Sequence, residues 1–418
     1  MDKLFPTQEI GSLAKPRWRV KGYKGEQLSS EEIAEAIKWA RKLGIGSLKQ
    51  LIQVLREKDS PKRRRAILEW SAKLVIRFFE KAGLDIVFDG EQWRAEMYEH
   101  FIRRVSGFQF LGYVKSFDYR YFNKAACISK PKYVKPIYLE EFLFTKQNTS
   151  RKVKVPFTGA YTIVDWTFNE YYEKKVGDKI KDFTRRKFEA KREFLFDLIK
   201  NVIRPEIRNL VDSGAEWIQI DEPAATTNPS DEEMELFVES FNKTVKGFNC
   251  KFSLHNCYSN YKILAKYASK LRNCSQLALE FANRDSRQLG IGKVRTGYGE
   301  IRIFEEYGFS GSYGLGVVDV HSDFVEPPEL VRDRILHAVK IVGDASRIFV
   351  NPDCGLRTRS WDVSFQKLKN MVLGAELARK SLRYEQHHYK IFLNTFIQTI
   401  TFSSKFGFLS TEILLKNF

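Results

Sequence analysis

Three short segments of the 418-residue chain end on side chains that bind soft or borderline metal ions: His255-Asn256-Cys257, Glu280 and Cys354. A His-x-Cys pair alone is a weak signal. Two thiols, an imidazole and a carboxylate on three separate segments are a stronger one. A purely structural zinc site normally takes its cysteines in close C-x2-C pairs from one small module, and that pattern is absent here. The mixed set suits a metal that accepts a further sulfur. Two thiolates and the imidazole hold the ion, the weaker carboxylate yields to an incoming thiol, and the bound sulfur acidifies yet stays nucleophilic.

Ligands about a hundred residues apart meet only if the fold gathers strand ends at one place. Short β-rich apolar runs that stop at polar or Gly/Pro residues mark eight expected strands, at 7–11, 85–91, 153–159, 217–222, 251–255, 276–281, 317–321 and 348–353. Amphipathic segments at 30–55, 63–82, 182–213, 230–245, 327–342 and 361–380 read as helices, the first with a capping pattern at Ser29–Glu32. This alternation predicts an α/β protein, a (β/α)8 TIM barrel with an insertion after strand 2 and a C-terminal extension. The expected barrel spans 1–380 and the insertion 92–152, the latter rich in Tyr, Phe, Lys and Arg and with an extended segment at 117–122. The extension, 381–418, carries His387-His388 and an apolar stretch at 391–402, and reads as a helix packed on the barrel or on a partner. In a barrel, strand ends face the active site, which places Ser12, Glu91, Asp221, His255, Cys257, Glu280, His321, Asp353 and Cys354 there, with Trp166 just past the third strand.

Composition sets the bounds. Apolar content of 43% and 29% charged residues are ordinary for a globular protein. No run reaches the roughly 20 apolar residues of a membrane span, and the opening MDKLFPTQEIG has no apolar signal core, so no membrane role and a cytoplasmic location are expected. Five cysteines are too few and too scattered for a disulfide framework. The charge of +18 comes from 70 basic against 52 acidic residues, concentrated at 15–24, 58–65 and 174–192. No nucleic-acid-binding signature accompanies it, so nucleic acid is not the expected partner; an anionic substrate tail or an acidic protein is.

FPTQEIGS (5–12), FDGEQWRAEMYEHF (88–101), IQIDEPA (218–224), LHNCYSNY (254–261), LALEFANRD (277–285), GVVDVHS (316–322) and VNPDCGLRTRSW (350–361) occur in this order. Together they give the chain a resemblance, over roughly residues 4–380, to the catalytic barrel of the cobalamin-independent methionine synthase family. The resemblance implies a homocysteine S-methyltransferase that holds Zn2+ through His255, Cys257, Glu280 and Cys354. It implies that Ile10, Gly11, Ser12, Glu91 and Asp221 bind the amino-acid end of homocysteine. Main-chain N–H groups and a serine suit its carboxylate, and side-chain carboxylates suit its ammonium. By the same resemblance His321 is the catalytic proton donor to the leaving group, and Trp166 binds the methyl donor by stacking.

Two departures stand out. Full-length members carry a second, N-terminal barrel, and this chain is read as the single-barrel form. After IQIDEPA the family usually has Leu-Arg-Glu, where this chain has Ala225-Thr226-Thr227. The donor therefore stays open between methyltetrahydrofolate, with its polyglutamate tail, and a methylated corrinoid protein. The alternatives are alkyl transfer to another thiol such as coenzyme M, for which a sulfonate-binding cation would be needed, and a non-catalytic binding protein.

Overall fold

The computed structural model describes residues 3–115 and 121–405, with the backbone alone described at 178 and over 385–405. Its centre is a six-stranded parallel sheet. The strands are β5 (Val155–Thr158), β6 (Trp217–Asp221), β7 (Lys251–Asn256), β8 (Cys274–Leu279), β9 (Ser312–Val318) and β10 (Ile348–Pro352), paired in chain order. Beside β5, β1 (Ile86–Val87) pairs in parallel with β4 (Lys152–Val153). Two isolated parallel bridges add to this pairing, Thr7 with Val350 of β10 and Gln8 with Ile86 of β1. Each of the eight expected segments thus contains ladder or bridge residues. The protein is α/β with a parallel sheet.

The strands are apolar and almost wholly buried, as a sheet with helices packed on it requires. Those helices are amphipathic, and several carry side-chain caps. Helix Ser30–Lys42 starts at a reciprocal Ser29/Glu32 capping box. Helix Pro61–Ala82 starts behind the Ser60 cap and stops at Gly83, whose φ of 98° is left-handed. The segment expected as one helix at 182–213 is Phe183–Leu198 and Arg204–Asp212, joined by a π turn at Ile199–Ile203. Pro205 lacks the N–H that would continue the α ladder, which accounts for the break. Helix Trp361–Lys405 runs on through position 380 without interruption; residues 406–418, the end of the expected extension, lie outside the described residues. Among the described residues no helix is long and apolar enough to cross a membrane.

The insertion forms an antiparallel hairpin, β2 (Val105–Lys115) and β3 (Tyr121–Tyr133), flanked by helices Met97–Ile102 and Leu139–Asn148. Of the extended segment expected at 117–122, residues 117–120 lie outside the described residues and 121–122 begin β3. The hairpin holds the loop after helix Ala160–Asp165, because Cys127 N–H donates to the Phe168 carbonyl (2.8 Å) and Phe168 N–H to that of Ala125 (3.0 Å).

Register positions the functional side chains. Thr158, Asp221, His255 and Ala278 are in-register neighbours across β5, β6, β7 and β8. In-register residues of parallel strands face the same side, so Asp221 and His255 emerge together. A buried polar layer lies beneath them. Gln8 Nε2 donates to Gln276 (2.9 Å) and Asn351 (3.0 Å), while Lys154 Nζ reaches Gln8 (3.2 Å), the Glu9 carbonyl (2.8 Å) and Gln219 (2.5 Å).

Candidate active site

His255, Cys257 and Cys354 come together at the strand ends, with one ligand atom from each lying within 4.8 Å of the others. His255, near the end of β7, points Nδ1 at the Ala278 carbonyl (2.9 Å). A carbonyl only accepts, so Nδ1 carries a proton and Nε2 is the nitrogen left to face the thiols and any metal. Nε2 is buried and has no hydrogen-bond partner among the described residues. The two thiols share a proton unequally. Cys354 is lowered to about 5 by the Cys257 S–H and by His255, against burial, while Cys257 is pushed upward by the neighbouring Cys354 thiolate and by burial. Burial alone would lower His255, but the Cys354 thiolate raises it to about 9. These groups want a cation between them, and a divalent ion would replace the shared protons.

Glu280 stands outside that triangle but beside it. Its Oε2 accepts the Tyr258 N–H (2.9 Å), and its main-chain N–H donates to the Tyr261 hydroxyl (2.7 Å). Its Oε1 is buried without a hydrogen-bond partner among the described residues. Two unused acceptors, one imidazole and one carboxylate, thus lie beside two thiols, a donor set that suits a metal of borderline softness. Asp353 locks the supporting loops. Its carboxylate takes the N–H groups of Phe281 (2.9 Å), Ala282 (2.9 Å) and Asn283 (2.7 Å), and its own N–H donates to Val318 O (3.0 Å). The loop after Glu280 and the residue before Cys354 therefore move as one.

His321 lies three residues past the end of β9, not on the strand expected to end with it. Its Nε2 is 3.6 Å from Glu280 Oε1, and its Nδ1 is 3.2 Å from the Tyr258 hydroxyl. The facing Glu280 carboxylate raises its pKa, against partial burial. Tyr258 (φ 55°) and Glu91 (φ 57°) are both left-handed non-glycine residues. Such strain, of order 1–3 kcal/mol each, concentrates at functional sites.

The remaining expected residues converge on one cavity of about 490 Å³, lined also by His255, Cys257, Cys354 and His321. Ile10, Gly11, Ser12, Glu91, Asp221 and Trp166 all line it. Gln219 Nε2 ties the Asp221 carboxylate (2.7 Å) to the Ile10 carbonyl (2.6 Å). Burial raises Asp221 to about 7, with nearby His255 opposing and Glu91 adding to the shift. A Cβ on Gly11 would stand 3.3 Å from Glu91 Oε1, so the glycine leaves the room that carboxylate occupies. A Cβ on Gly355 would meet Ser12 main-chain atoms at 2.8–2.9 Å, so the loop after Cys354 lies directly against the Ile10–Ser12 loop. Behind Glu91, the fully buried Arg94 reaches its Oε1 (3.3 Å) and Glu141 Oε2 (2.8 Å). Trp166 packs on Phe122 (ring centroids 5.4 Å) and Tyr98 (6.2 Å), so the hairpin builds the aromatic side of the cavity.

Sequence reasoning assigned no role to Arg94, Glu96, Phe122, Tyr258, Lys15, Arg357 or Arg359, of which all but Arg94 line the cavity. Lys15 follows the Ile10–Ser12 loop, and the two arginines follow Cys354 by three and five residues. That adjacency was the available signal.

The family model described as "Cobalamin-independent synthase, Catalytic domain" matches residues 48–377. The chain is 39% identical over 386 residues to the methionine synthase of Pyrococcus abyssi, covering 91% of this chain and 95% of that protein. It is 37% identical over 330 residues to that of Thermoplasma acidophilum, covering 76% and 90%. Among solved structures, a B12-independent methionine synthase from Shewanella sp. W3-18-1, in complex with selenomethionine, has a TM-score of 0.68 at 22% identity, covering 91% of this chain and 99% of that one. A methyltransferase from Methanosarcina mazei has a TM-score of 0.54 at 15% identity, covering 90% and 94%. These last two likenesses concern the fold.

Proposed function

Because the chain belongs to the cobalamin-independent synthase catalytic-domain family, we propose that it is a methionine synthase, a methyltransferase that transfers a methyl group to the sulfur of homocysteine. The observation that carries the reading is the His255–Cys257–Cys354 triangle, with its unused Nε2, in the cavity that also presents Glu91 and Asp221. The donor set suits zinc, with His255, Cys257 and Cys354 as ligands and Glu280 as a fourth. Zinc bound there supplies a Lewis acid that lowers the pKa of a thiol while leaving it nucleophilic.

The protein's own groups do the rest. Glu91 and Asp221 receive the substrate ammonium, and the Ile10–Gly11–Ser12 loop offers main-chain N–H groups and a hydroxyl to its carboxylate. The sulfur attacks the donor methyl in line, so an S–C bond forms as the methyl–donor bond breaks. With a folate donor, the departing nitrogen takes a proton from His321, whose pKa the facing Glu280 carboxylate raises. Trp166, braced by Phe122 and Tyr98, offers an aromatic face for the donor. The parallel sheet is read as a closed (β/α)8 barrel. The Thr7–Val350 and Gln8–Ile86 bridges support this, as does Gln8 contacting Asn351 of β10, Gln276 of β8 and Lys154 beside β5, which reach both ends of the ladder. Its five unpaired cysteines are in keeping with a cytoplasmic enzyme.

Lys15, Arg357 and Arg359 in the cavity wall favour a second reading, alkyl transfer to a sulfonate thiol such as coenzyme M. Turnover with homocysteine or coenzyme M as acceptor, crossed with methyltetrahydrofolate (mono- and triglutamate) or methylcobalamin as donor, separates the cases. Methionine formation from homocysteine with at least one donor is expected. Activity with coenzyme M alone would sink the methionine synthase reading.

A further inference from the structure

Lys15 is a charged side chain for which the described residues supply no counter-ion. It lines the cavity beside the Ile10–Ser12 loop and is half-buried, and its Nζ makes no hydrogen bond or ion pair with any described residue. The charges around it have mostly its own sign. Burial lowers its pKa to about 8, with Arg19, Arg357 and Arg94 adding to the effect and Glu91 opposing it. Arg94 is already engaged by Glu141 and Glu91. Arg19 spends its guanidinium on the main-chain carbonyls of Gln92 and Arg94, which carry no compensating charge. A cation held partly out of bulk water without an anion is costly, and an anion entering the cavity would relieve that cost.

The cavity is also polar in an ordered way. Glu91 and Asp221 offer negative charge for an ammonium, while Lys15 offers positive charge close to Glu91. A ligand carrying both an ammonium and a carboxylate would match this pairing. So would an aromatic donor with a carboxylate arm, lying between Trp166 and the cation. Resting on the methionine synthase reading, we propose that Lys15 recognises a ligand carboxylate beside the Ile10–Ser12 loop, pairing its ammonium with a carboxylate of the amino acid or of the methyl donor. Lys15 sets which ligands enter and does not take part in bond making.

The test uses zinc-loaded protein with Lys15→Met, Lys15→Gln and Lys15→Arg. Calorimetric titration with methionine, with methioninol (which lacks the carboxylate) and with methyltetrahydrofolate reads each affinity. Expected is at least a tenfold weaker Kd for methionine or for methyltetrahydrofolate in the Met and Gln variants, with methioninol within twofold of wild type and partial recovery in the Arg variant. The ligand that weakens identifies the source of the carboxylate. In turnover the corresponding KM rises while kcat stays within about twofold. Wild-type affinity for both carboxylate ligands in a folded Met or Gln variant overturns the assignment and leaves the functional reading intact. A wild-type protein that binds neither ligand overturns both.

Discussion

Replacing Arg94 with methionine should cost the fold several kcal/mol and loosen amino-acid binding together. Arg94 is completely buried, and it reaches Glu141 (2.8 Å), Glu91 (3.3 Å) and the Pro156 carbonyl (2.9 Å). Glu141 has no other charged partner among the described residues. His100 Nε2 lies 2.8 Å from it, but that imidazole donates to Ile137 O (3.0 Å) and accepts from Arg104 at Nδ1 (3.1 Å), which is the neutral tautomer. Burial lowers the His100 pKa, against the opposing Glu141 carboxylate. Arg94→Met therefore strands a buried carboxylate, and breaking such a pair costs about 3–5 kcal/mol. Glu91 loses its cationic anchor in the same step. Urea unfolding of wild type, Arg94→Met, Glu141→Gln and the double variant, with methionine titrations on each, reads both effects. The double variant should recover 1 kcal/mol or more relative to additivity, within the usual range for contacting charges. Methionine affinity should stay weak even where stability recovers, because Glu91 is still unanchored. A loss below about 1 kcal/mol in Arg94→Met, or wild-type methionine affinity in that variant, would refute the reasoning.

Gly355→Ala should weaken amino-acid binding at least tenfold, read as the methionine Kd, because its Cβ would sit 2.8–2.9 Å from Ser12 main-chain atoms and push the two loops apart. Trp166→Leu should raise the KM for the methyl donor severalfold and leave that for homocysteine within twofold, since Trp166 belongs to the aromatic wall with Phe122 and Tyr98 and not to the ammonium and carboxylate contacts. Acid stability should depend on Glu141, which the buried Arg94 guanidinium holds down to about 2 despite burial. A depressed carboxylate stabilises fully above its unfolded pKa, about 4.5, and loses that contribution as pH falls toward the folded value. Stability measured between pH 5 and 2.5 should thus fall less steeply in Glu141→Gln than in wild type, and equal slopes would count against the assignment.

Much of the fold could be read from the sequence because buried parallel strands are apolar runs with abrupt polar ends, and those ends carry His255, Glu280 and Cys354. The misreading of β9 has a physical cause. Its first five residues, Ser312–Gly316, include Gly314 and Gly316, which resemble turn residues. They are glycines because a Cβ at 314 would strike Asn351 (2.6 Å) and Gln8 (2.9 Å), and one at 316 would strike Asp353 (2.2 Å). Strand 9 consequently starts and stops earlier, and His321 belongs to a loop. The second expected strand shrinks to Ile86–Val87 because Gly90 (φ 61°) and Glu91 (φ 57°) turn the chain to aim a carboxylate at the cavity. Lys154 interrupts the third to reach the buried polar layer. Arg94 and Lys15 escaped notice for another reason. Their roles depend on partners 47 residues away in Glu141, or on the lack of any partner, and neither is visible in local spacing.

The most direct test of the account is the metal content and methyl transfer of Cys354→Ser. Wild-type protein should retain one zinc per chain after dialysis and form methionine from homocysteine, while the folded variant should lose most of the zinc and at least 99% of the activity. A Cys354→Ser protein that kept both would contradict the site assignment.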